Sequence, residues 1–202
     1  MRRLKETESD AVAEAVRVLR AGGIVAYSTE TSYGLGASIE HADAMSRIYL
    51  IKKRSIALPL LVLIAEISWL DVLVQEMPDE ARRLMALWPG PLTLLFRARP
   101  ELPFHLVGPD GLIGVRISSH AFARALVQEL GCPVTATSAN LHGMPACHDA
   151  REVMAQLRNP APDLVIDSGR SSGGPPSTIV DVSVRPFRVV RKGAMSEIDL
   201  FL

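Results

Sequence analysis

Cysteine is scarce in this sequence, and neither sign of charge is in excess. Cys132 and Cys147 are too few for a disulfide framework, and no Cys-x-x-Cys pair offers a zinc site. This use of cysteine is typical of a reducing cytosol, so we expect a cytoplasmic protein. Lys plus Arg and Asp plus Glu each number 22, so the formal net charge is zero. That balance argues against a strongly basic nucleic-acid-binding protein.

Long apolar segments and several common motifs are also absent. No run of about 18 uncharged apolar residues appears, and the basic N-terminus MRRLKETESD lacks the apolar region of a secretory signal. We therefore expect no association with a membrane. The chain has no P-loop and no nucleophile elbow, and GLGASIE lacks the third glycine of a dinucleotide-binding fingerprint. His142, Cys147 and His148 match no standard zinc spacing, so we expect no metal centre.

The sequence does contain apolar strands that alternate with helices. Its 202 residues, 48% of them hydrophobic, fit one large domain, which we place at residues 8–202. The predicted strands are IVAYS, LPLLVLIA, PLTLLFRA, GLIGVRIS, PVTAT, DLVIDS, STIVDVS and FRVVRK, the last two paired. The predicted helices are residues 8–21, HADAMSRIYLIKKR, HAFARALVQELG and HDAREVMAQLR, with helical stretches also opening at Ser68 and Pro78, the second running to Trp88. This alternation predicts an α/β fold with a mixed β-sheet covered by helices.

Polar residues concentrate in four segments at or near the ends of predicted strands. These segments are STETSYGLG, KKRSIALPL, GVRIS and TSANLHGMP. Open α/β sheets bind ligands at strand ends, so the four segments are candidates for one site. Each also has a purely structural explanation. The hydroxyls could cap a helix, the cations favour a helix C-terminus, and Ser138 with Asn140 could form a turn.

Arg116 lies inside an apolar strand and therefore needs an anionic partner, because burying a lone charge is expensive. The partner is either an Asp or Glu across the sheet or a ligand anion, since Arg binds carboxylate and phosphate bidentately. Lys52, Arg54 and Arg191 would add further positive charge around one cleft. That inventory suits a nucleoside triphosphate together with a carboxylate substrate.

Seven segments in the right order resemble the YrdC-like family of L-threonylcarbamoyladenylate synthases. STETSYGLG is similar to the family's PTET-x-YGLG, KKR…PLLVL to K-x-R…P-L, and LWPGPLTLLF to the highly specific WPGPLT signature. GVRIS, TSANLHGMP, PSTIVDV and VVRKGA are similar to VRxP, SANxSGxP, ESTVVDL and LRPGA. The resemblance covers roughly residues 10–195 and implies the YrdC-like fold, a twisted mixed β-sheet with helices packed around it.

The resemblance implies a nucleotidyltransferase that forms threonylcarbamoyl-AMP and pyrophosphate from L-threonine, bicarbonate and ATP, with Mg²⁺ and no prosthetic group. The product would pass to a tRNA threonylcarbamoyl-transfer complex for N6-threonylcarbamoyladenosine modification, and tRNA or double-stranded RNA would be a further partner. By position, the residues that match threonine contacts are Thr31, Arg116 and Ser177. Those that match the ATP site are Lys52, Arg54, Ser138, Asn140 and Arg191, of which the first four are the expected catalytic residues. The main chain at Ala136 and Ala146 matches further contact positions.

Several positions depart from the family pattern. Leu58 and Leu63 stand where longer members carry Asn and His, and Pro176 replaces Glu. Two alternatives therefore stay open: a YciO-like paralogue of related activity, and a non-catalytic RNA-binding or ribosome-maturation protein. The sequence alone does not indicate which residue would act as a general base in this reaction.

Overall fold

The computed structural model describes residues 1–196 and 199–200, which fold around one ten-stranded mixed β-sheet. The strands are β1 (Arg2–Lys5), β2 (Val25–Ser28), β3 (Tyr33–Gly36), β4 (Leu61–Leu63), β5 (Leu92–Arg97), β6 (Leu112–Arg116), β7 (Val134–Ser138), β8 (Leu164–Asp167), β9 (Thr178–Asp181) and β10 (Arg188–Arg191). The helices are α1 (Ala11–Arg20), α2 (Ala42–Lys52), α3 (Asp79–Met85), α4 (Ala121–Leu130) and α5 (Ala150–Gln156), with a 3-10 helix at Ile67–Val72. The predicted α/β class with a mixed sheet is confirmed. In the described part of the chain, no helix is both long enough and apolar enough to cross a membrane.

Strand β7 joins the two halves of the sheet. The spatial order is β1-β8-β2-β3-β7-β4-β6-β5-β9-β10, so β7 lies between β3 and β4 and is antiparallel to both. Four of the other pairings are parallel, namely β1 with β8, β2 with β8, β4 with β6 and β5 with β9. Because β2 and β7 are both antiparallel to β3, which lies between them, the polar segments that follow β2 and β7 leave the sheet at the same edge.

Helices cover both faces of the sheet, as alternate residues of β2 show. Val25 and Tyr27 pack into a core that contains α1 and α4, whereas Ala26 packs into a larger core that contains α2, α3 and α5. Successive strand residues point to opposite faces, so the two cores lie on opposite sides of the sheet. Burial on both faces explains why most of these strands are nearly continuous apolar runs.

Two strands escaped the sequence prediction. β1 is a charged segment that pairs in parallel with β8 at the sheet edge and lies before residue 8, the predicted start of the domain. Charged side chains protect an edge strand from further pairing, and they also hide it from a search for apolar patterns. We propose that the domain begins with β1; its predicted end at residue 202 lies outside the described residues.

The residues of β3 belong to STETSYGLG, which was interpreted from the sequence only as a polar segment at a strand end, and no strand was predicted there. Gly34 and Gly36 lie within β3, which forms an antiparallel hairpin with β2. A Cβ on Gly36 would come within 2.7 Å of Tyr27 Cε1 and of Val134 Cγ1, so glycine there makes room for the core. Glycine is unfavourable in strands on propensity grounds, which is why the prediction failed.

Other predicted elements are shorter or of a different type. β4 covers Leu61–Leu63 rather than all of LPLLVLIA. The helical stretch predicted from Ser68 is the 3-10 helix, and the stretch predicted to run to Trp88 is α3, which ends at Met85. The predicted pairing of the last two strands is confirmed, because β9 and β10 are antiparallel neighbours.

Candidate active site

A cavity of about 600 Å³ lies over the centre of the sheet, where the two halves meet. Six of the eight predicted site residues line it, namely Thr31, Arg54, Arg116, Ser138, Ser177 and Arg191. Its volume falls in the range of small-molecule sites. A smaller cavity of about 240 Å³, beside Met77 and Arg185, contains none of the predicted site residues.

The hydroxyl segment after β2 forms the tight turn of the β2–β3 hairpin. Thr29 Oγ1 donates to the carbonyl of Ser32 at 2.8 Å and accepts the N–H groups of Thr31 and Ser32 at 3.3 and 3.4 Å. Thr31 Oγ1 lies 3.1 Å from Thr29 Oγ1, and the Thr31 side chain lines the cavity. One hydroxyl therefore builds the turn, and the turn presents a second hydroxyl to the cavity.

Arg116 has the intramolecular partner that its position in a strand requires. Its Nη1 donates to Glu30 Oε1 at 2.9 Å, and Ser118 Oγ donates to Glu30 Oε2. Arg116 also lines the cavity. Its guanidinium can therefore contact both of the partners that the sequence left open, an acidic side chain of the protein and an anionic ligand. A carboxylate ligand at this point must share Arg116 with Glu30 or displace it. Glu30 was missed, although an acidic residue within the hydroxyl segment was a visible signal.

Arg54 carries a positive charge that no carboxylate neutralises among the described residues. Its Nη1 donates to Thr137 Oγ1 and its Nη2 to the carbonyl of Pro59, both at 3.1 Å. Its Nε is buried and has no hydrogen-bond partner within the described chain. Burial lowers the pKa of Arg54 from its ordinary value. A buried donor without a partner favours an anionic ligand at this end of the cavity.

Arg191 and Ser177 also line the cavity and contact each other. Arg191 donates from Nε and Nη2 to the carbonyl of Ser177 at 3.1 and 2.8 Å, and from Nη2 to Ser177 Oγ at 3.0 Å. Thr93 Oγ1 lies 3.0 Å from the same hydroxyl. Partial burial and, second, the charge of Arg116 lower the pKa of Arg191. The two guanidinium groups are therefore close enough to act on one ligand.

Lys52 and Asn140, predicted as ATP-site residues, do not line the cavity. Lys52 is 2% exposed, and its Nζ donates to the carbonyl of Ser138, to the carbonyl of Asn140 at 2.9 Å and to Asn140 Oδ1 at 3.2 Å. Asn140 Oδ1 also accepts from Ser138 Oγ at 2.5 Å. Burial and, second, the charge of Arg54 lower the pKa of Lys52 to about 8. Both residues contact Ser138, which does line the cavity, and their predicted place in an ATP site stays a prediction.

The cavity is positive although the whole chain is neutral. Three arginines line it, and no Asp or Glu does so among the described residues. Apolar side chains cover much of the remaining wall, including Leu58 and Leu63, and the lining also includes Ala136, Ala146 and His148. Sequence reasoning had considered His148 only as a metal ligand and missed it as a cavity residue. A compact site lined by three arginines and by apolar side chains suits a small polyanion that has an apolar part.

Comparison with known proteins agrees with this architecture. The family model Sua5_yciO_yrdC, described as "Telomere recombination", matches residues 17–193. Threonylcarbamoyl-AMP synthase of Bacillus subtilis is 38% identical over 193 residues, which are 95% of this chain but 56% of that relative. The enzyme of the same name from Vibrio cholerae is 37% identical over 184 residues, which are 89% of this chain and 96% of that relative.

Solved structures give the same relationship. P. abyssi Sua5 complexed with L-threonine superposes with a TM-score of 0.92 at 32% identity, covering 98% of this chain and 59% of that one. E. coli YciO superposes with a TM-score of 0.85 at 29% identity, covering 100% of this chain and 97% of that one. The chain thus spans little more than half of some relatives and nearly all of others. With the family model matched over most of its length and the site motifs gathered in one cavity, the chain belongs to the Sua5/YciO/YrdC family.

Proposed function

We propose that this protein is an L-threonylcarbamoyladenylate synthase. It joins L-threonine, bicarbonate and ATP into threonylcarbamoyl-AMP and releases pyrophosphate, for the N6-threonylcarbamoyladenosine modification of tRNA. The observation that carries the proposal is the convergence in one cavity of the candidate threonine residues and the candidate ATP residues Arg54, Ser138 and Arg191. The named synthases among its relatives and the threonine complex of Sua5 support it.

In this proposal, threonine binds at the end of the cavity beside the β2–β3 turn. Arg116 holds the α-carboxylate, because a guanidinium pairs with a carboxylate through two parallel hydrogen bonds. Thr31 and Ser177 offer hydroxyls to the polar groups of the amino acid. Arg191 fixes Ser177 by donating to both its carbonyl and its hydroxyl.

The triphosphate of ATP lies against Arg54 and Arg191, at the two cationic walls. Ser138 provides a hydroxyl beside the phosphates. Lys52 acts as a positioning residue, because its Nζ donates a hydrogen bond to the backbone carbonyl of Ser138. Arg54 is held at two of its nitrogens by Thr137 and Pro59, so its charge is in place before a ligand arrives. Preorganised charge of this kind stabilises a transition state without reorganisation.

The chemistry needs two steps. The threonine nitrogen attacks the carbon of bicarbonate and forms a carbamate, with loss of water. A carbamate oxygen then attacks the α-phosphorus of ATP, the bond to the bridging oxygen breaks, and pyrophosphate leaves. No covalent intermediate with the protein is required, so positioning and charge stabilisation account for catalysis.

Mg²⁺ belongs to the ATP substrate in this proposal. The described lining residues include no carboxylate, which is the protein ligand that Mg²⁺ usually takes, and the described chain holds no group of three His, Cys, Asp or Glu suited to a metal ion. The cavity therefore fits the ion only as part of the nucleotide, and none of the residue roles above depends on it.

We also infer the partners from the family. The carbamoyl–phosphate anhydride of the product is prone to hydrolysis, so the product passes promptly to a tRNA threonylcarbamoyl-transfer complex in the cytoplasm. Binding of tRNA or double-stranded RNA stays a prediction of the resemblance.

A YciO-like activity is the second candidate. The chain covers 97% of E. coli YciO and aligns over its whole length. Leu58 and Leu63 also give the cavity wall an apolar surface where longer family members carry polar side chains. A YciO-like enzyme would use the same cavity for a related substrate.

The deciding experiment measures pyrophosphate release from ATP, with and without L-threonine and bicarbonate. Release that needs both co-substrates, together with threonylcarbamoyl-AMP detected by mass spectrometry, is the expected result. Release that ignores threonine, or none at all from a folded protein that binds ATP, would reject the synthase in favour of the second candidate.

A further inference from the structure

His148 is the cavity residue best suited to move a proton. The titratable residues in the lining are Tyr33, Arg54, Arg116, His148 and Arg191. The arginines stay charged at neutral pH. The Tyr33 hydroxyl donates to the carbonyl of Gly169 at 2.8 Å and accepts the N–H of Ser168 at 2.9 Å, and burial raises the pKa of Tyr33. Histidine is the side chain that exchanges a proton between pH 5 and 8.

The His148 ring is held from one side only. Its Nδ1 lies 2.9 Å from Ser171 Oγ, and the N–H of Ser171 donates to the carbonyl of His148 at 2.7 Å. The N–H of His148 donates to Glu152 Oε2 at 2.6 Å, which fixes the backbone. Within the described chain, Nε2 has no hydrogen-bond partner. A base that is oriented through one nitrogen and open at the other matches the arrangement of known catalytic histidines.

Two connections place His148 at the threonine end of the cavity. The N–H of Tyr33 donates to the carbonyl of Cys147 at 2.9 Å, so His148 follows a residue attached to the β2–β3 hairpin. Ser172, next to Ser171, donates from Oγ to the carbonyl of Glu30 at 3.1 Å. Glu30 in turn binds Arg116, the proposed carboxylate ligand of threonine.

The groups packed around His148 do not replace it as a base near neutral pH. Arg170 pairs with the carboxylates of α5, at 3.5 Å from Asp149 and 3.4 Å from Glu152. Burial raises the pKa of Cys147 to about 12. The charged and titratable groups that face His148 are therefore Tyr33, Cys147, Asp149, Glu152 and Arg170, together with Glu30 beyond Ser172.

We propose that His148 Nε2 is the general base of carbamate formation, an inference that rests on the proposed synthase function. The α-amino group of threonine is largely protonated at neutral pH. His148 takes one ammonium proton, which frees the lone pair of the nitrogen. As the nitrogen bonds to the bicarbonate carbon, the C–OH bond breaks, and a second proton from the nitrogen leaves with that hydroxyl as water. The products are a carbamate anion, water and an imidazolium ion, so atoms and charge balance.

The test compares His148→Gln with a matched control, His142→Gln. His142 lies six residues earlier, is exposed and makes no side-chain hydrogen bond in the described chain. Turnover at saturating threonine and ATP is measured from pH 5.5 to 8.5. Bicarbonate itself titrates in this range, so its concentration is held constant at each pH.

We expect kcat of the wild-type protein to fall by up to about tenfold per pH unit at the acidic end of this range, because the general base is then protonated. His148→Gln should lose roughly 100-fold in kcat at pH 7.5 and should also lose the acidic limb, whereas His142→Gln keeps both. Ser171→Ala removes the hydroxyl that contacts Nδ1 of the proposed base, so it should lower kcat and also shift the midpoint of the acidic limb. If His148→Gln does not fold, this variant decides the matter: a shifted midpoint supports the base assignment, and an unchanged midpoint overturns it.

The outcomes separate the two proposals. If the wild-type protein shows no threonine-dependent pyrophosphate release, the synthase proposal fails and the base assignment fails with it. If the wild-type protein is active and folded His148→Gln keeps its kcat and its acidic limb, only the base assignment is overturned. If folded His148→Gln has a lower kcat but an unchanged acidic limb, the base assignment is also overturned, because that pattern indicates a structural role for the histidine.

Discussion

The ion pair between Arg116 and Glu30 links the stability of the fold to the proposed threonine site at a single residue. Arg116→Ala should abolish the thermal stabilisation that L-threonine gives. It should also destabilise the fold by about 1–3 kcal/mol, because Glu30 then keeps a half-buried carboxylate without its cation. Urea unfolding and a thermal-shift titration with L-threonine measure the two effects.

The double variant Arg116→Ala/Glu30→Ala is the control for that prediction. With both charges removed, the protein should recover part of the lost stability but none of the threonine response. A single Arg116→Ala variant that still responds to threonine at the wild-type concentration would show that the carboxylate binds elsewhere.

Lys52 predicts a pH dependence of stability. Its folded pKa of about 8 lies below the ordinary value of 10.5, so between these pH values the unfolded chain binds a proton that the folded chain has lost. Stability therefore rises with pH through this window. Relative to Lys52→Met, the wild-type protein should gain roughly 1 kcal/mol in free energy of unfolding between pH 7 and pH 9. Urea titrations of both proteins at each pH provide the measurement, and a constant difference between them would contradict the lowered pKa.

At this scale the sequence identified residue types better than partners. Arg116 could be predicted to need an anion because a buried lone charge is costly. Its partner Glu30 could not be predicted, because no local sequence pattern indicates that the β2–β3 turn lies beside the end of β6. Lys52 was assigned to ATP from its motif, yet its ammonium group faces the backbone of the chain leaving β7, an orientation that only tertiary packing determines.

At the scale of elements, the β2–β3 hairpin depends on one glycine. Gly36→Ala should cost about 1–3 kcal/mol, because the new Cβ would meet Tyr27 Cε1 and Val134 Cγ1 at 2.7 Å. Gly34→Ala is the matched control in the same strand, where the nearest atom, the carbonyl oxygen of Thr137, would lie at an ordinary 3.5 Å. Equal losses of stability in the two variants would mean that crowding at Gly36 is not the cause.

Elements were predictable where burial dictates composition. Strands such as β5 and β8 are apolar because both faces of the sheet are covered, and their positions were predicted to within a few residues. β1 and β3 failed for opposite reasons: β1 is charged because it lies at an edge, and β3 contains glycine because Tyr27 packs over it. In both missed strands the residue types follow from the tertiary position of the strand, an exposed edge for β1 and close packing against Tyr27 for β3, and not from a high strand propensity.

At the scale of the whole molecule, the cavity bridges the two halves of the sheet that meet at β7. Ligands that fill it should therefore slow hydrogen exchange in both the turn after β2 and the edge strand β10. L-threonine together with a non-hydrolysable ATP analogue, each at about 100 times its Kd, should stabilise the fold by about 2.7 kcal/mol per independent ligand. Helix α1, which packs in the core that contains α4, serves as the internal reference and should gain no more protection than the global stabilisation accounts for.

Exchange measured by mass spectrometry distinguishes this arrangement from a one-sided site. Protection confined to one half of the sheet would contradict a ligand pair that spans both. That the site residues meet in one cavity was predicted only from the resemblance of seven ordered segments to a known family. Hydrophobic periodicity predicts helices and strands, but it does not predict the strand order that brings residues 31 and 191 to one cavity.

Because Glu30 already pairs with the Arg116 guanidinium, a ligand carboxylate that takes its place there exchanges with the Glu30 carboxylate. An amino acid whose carboxylate displaces Glu30 replaces one ion pair of Arg116 with another. The free energy lost with the Arg116–Glu30 pair therefore offsets much of the free energy gained from the new pair. The resulting affinity is set by a difference between two similar partners and is weaker than a vacant guanidinium would give. At a given concentration of free threonine, the proposed site would therefore be less fully occupied than the same site without Glu30.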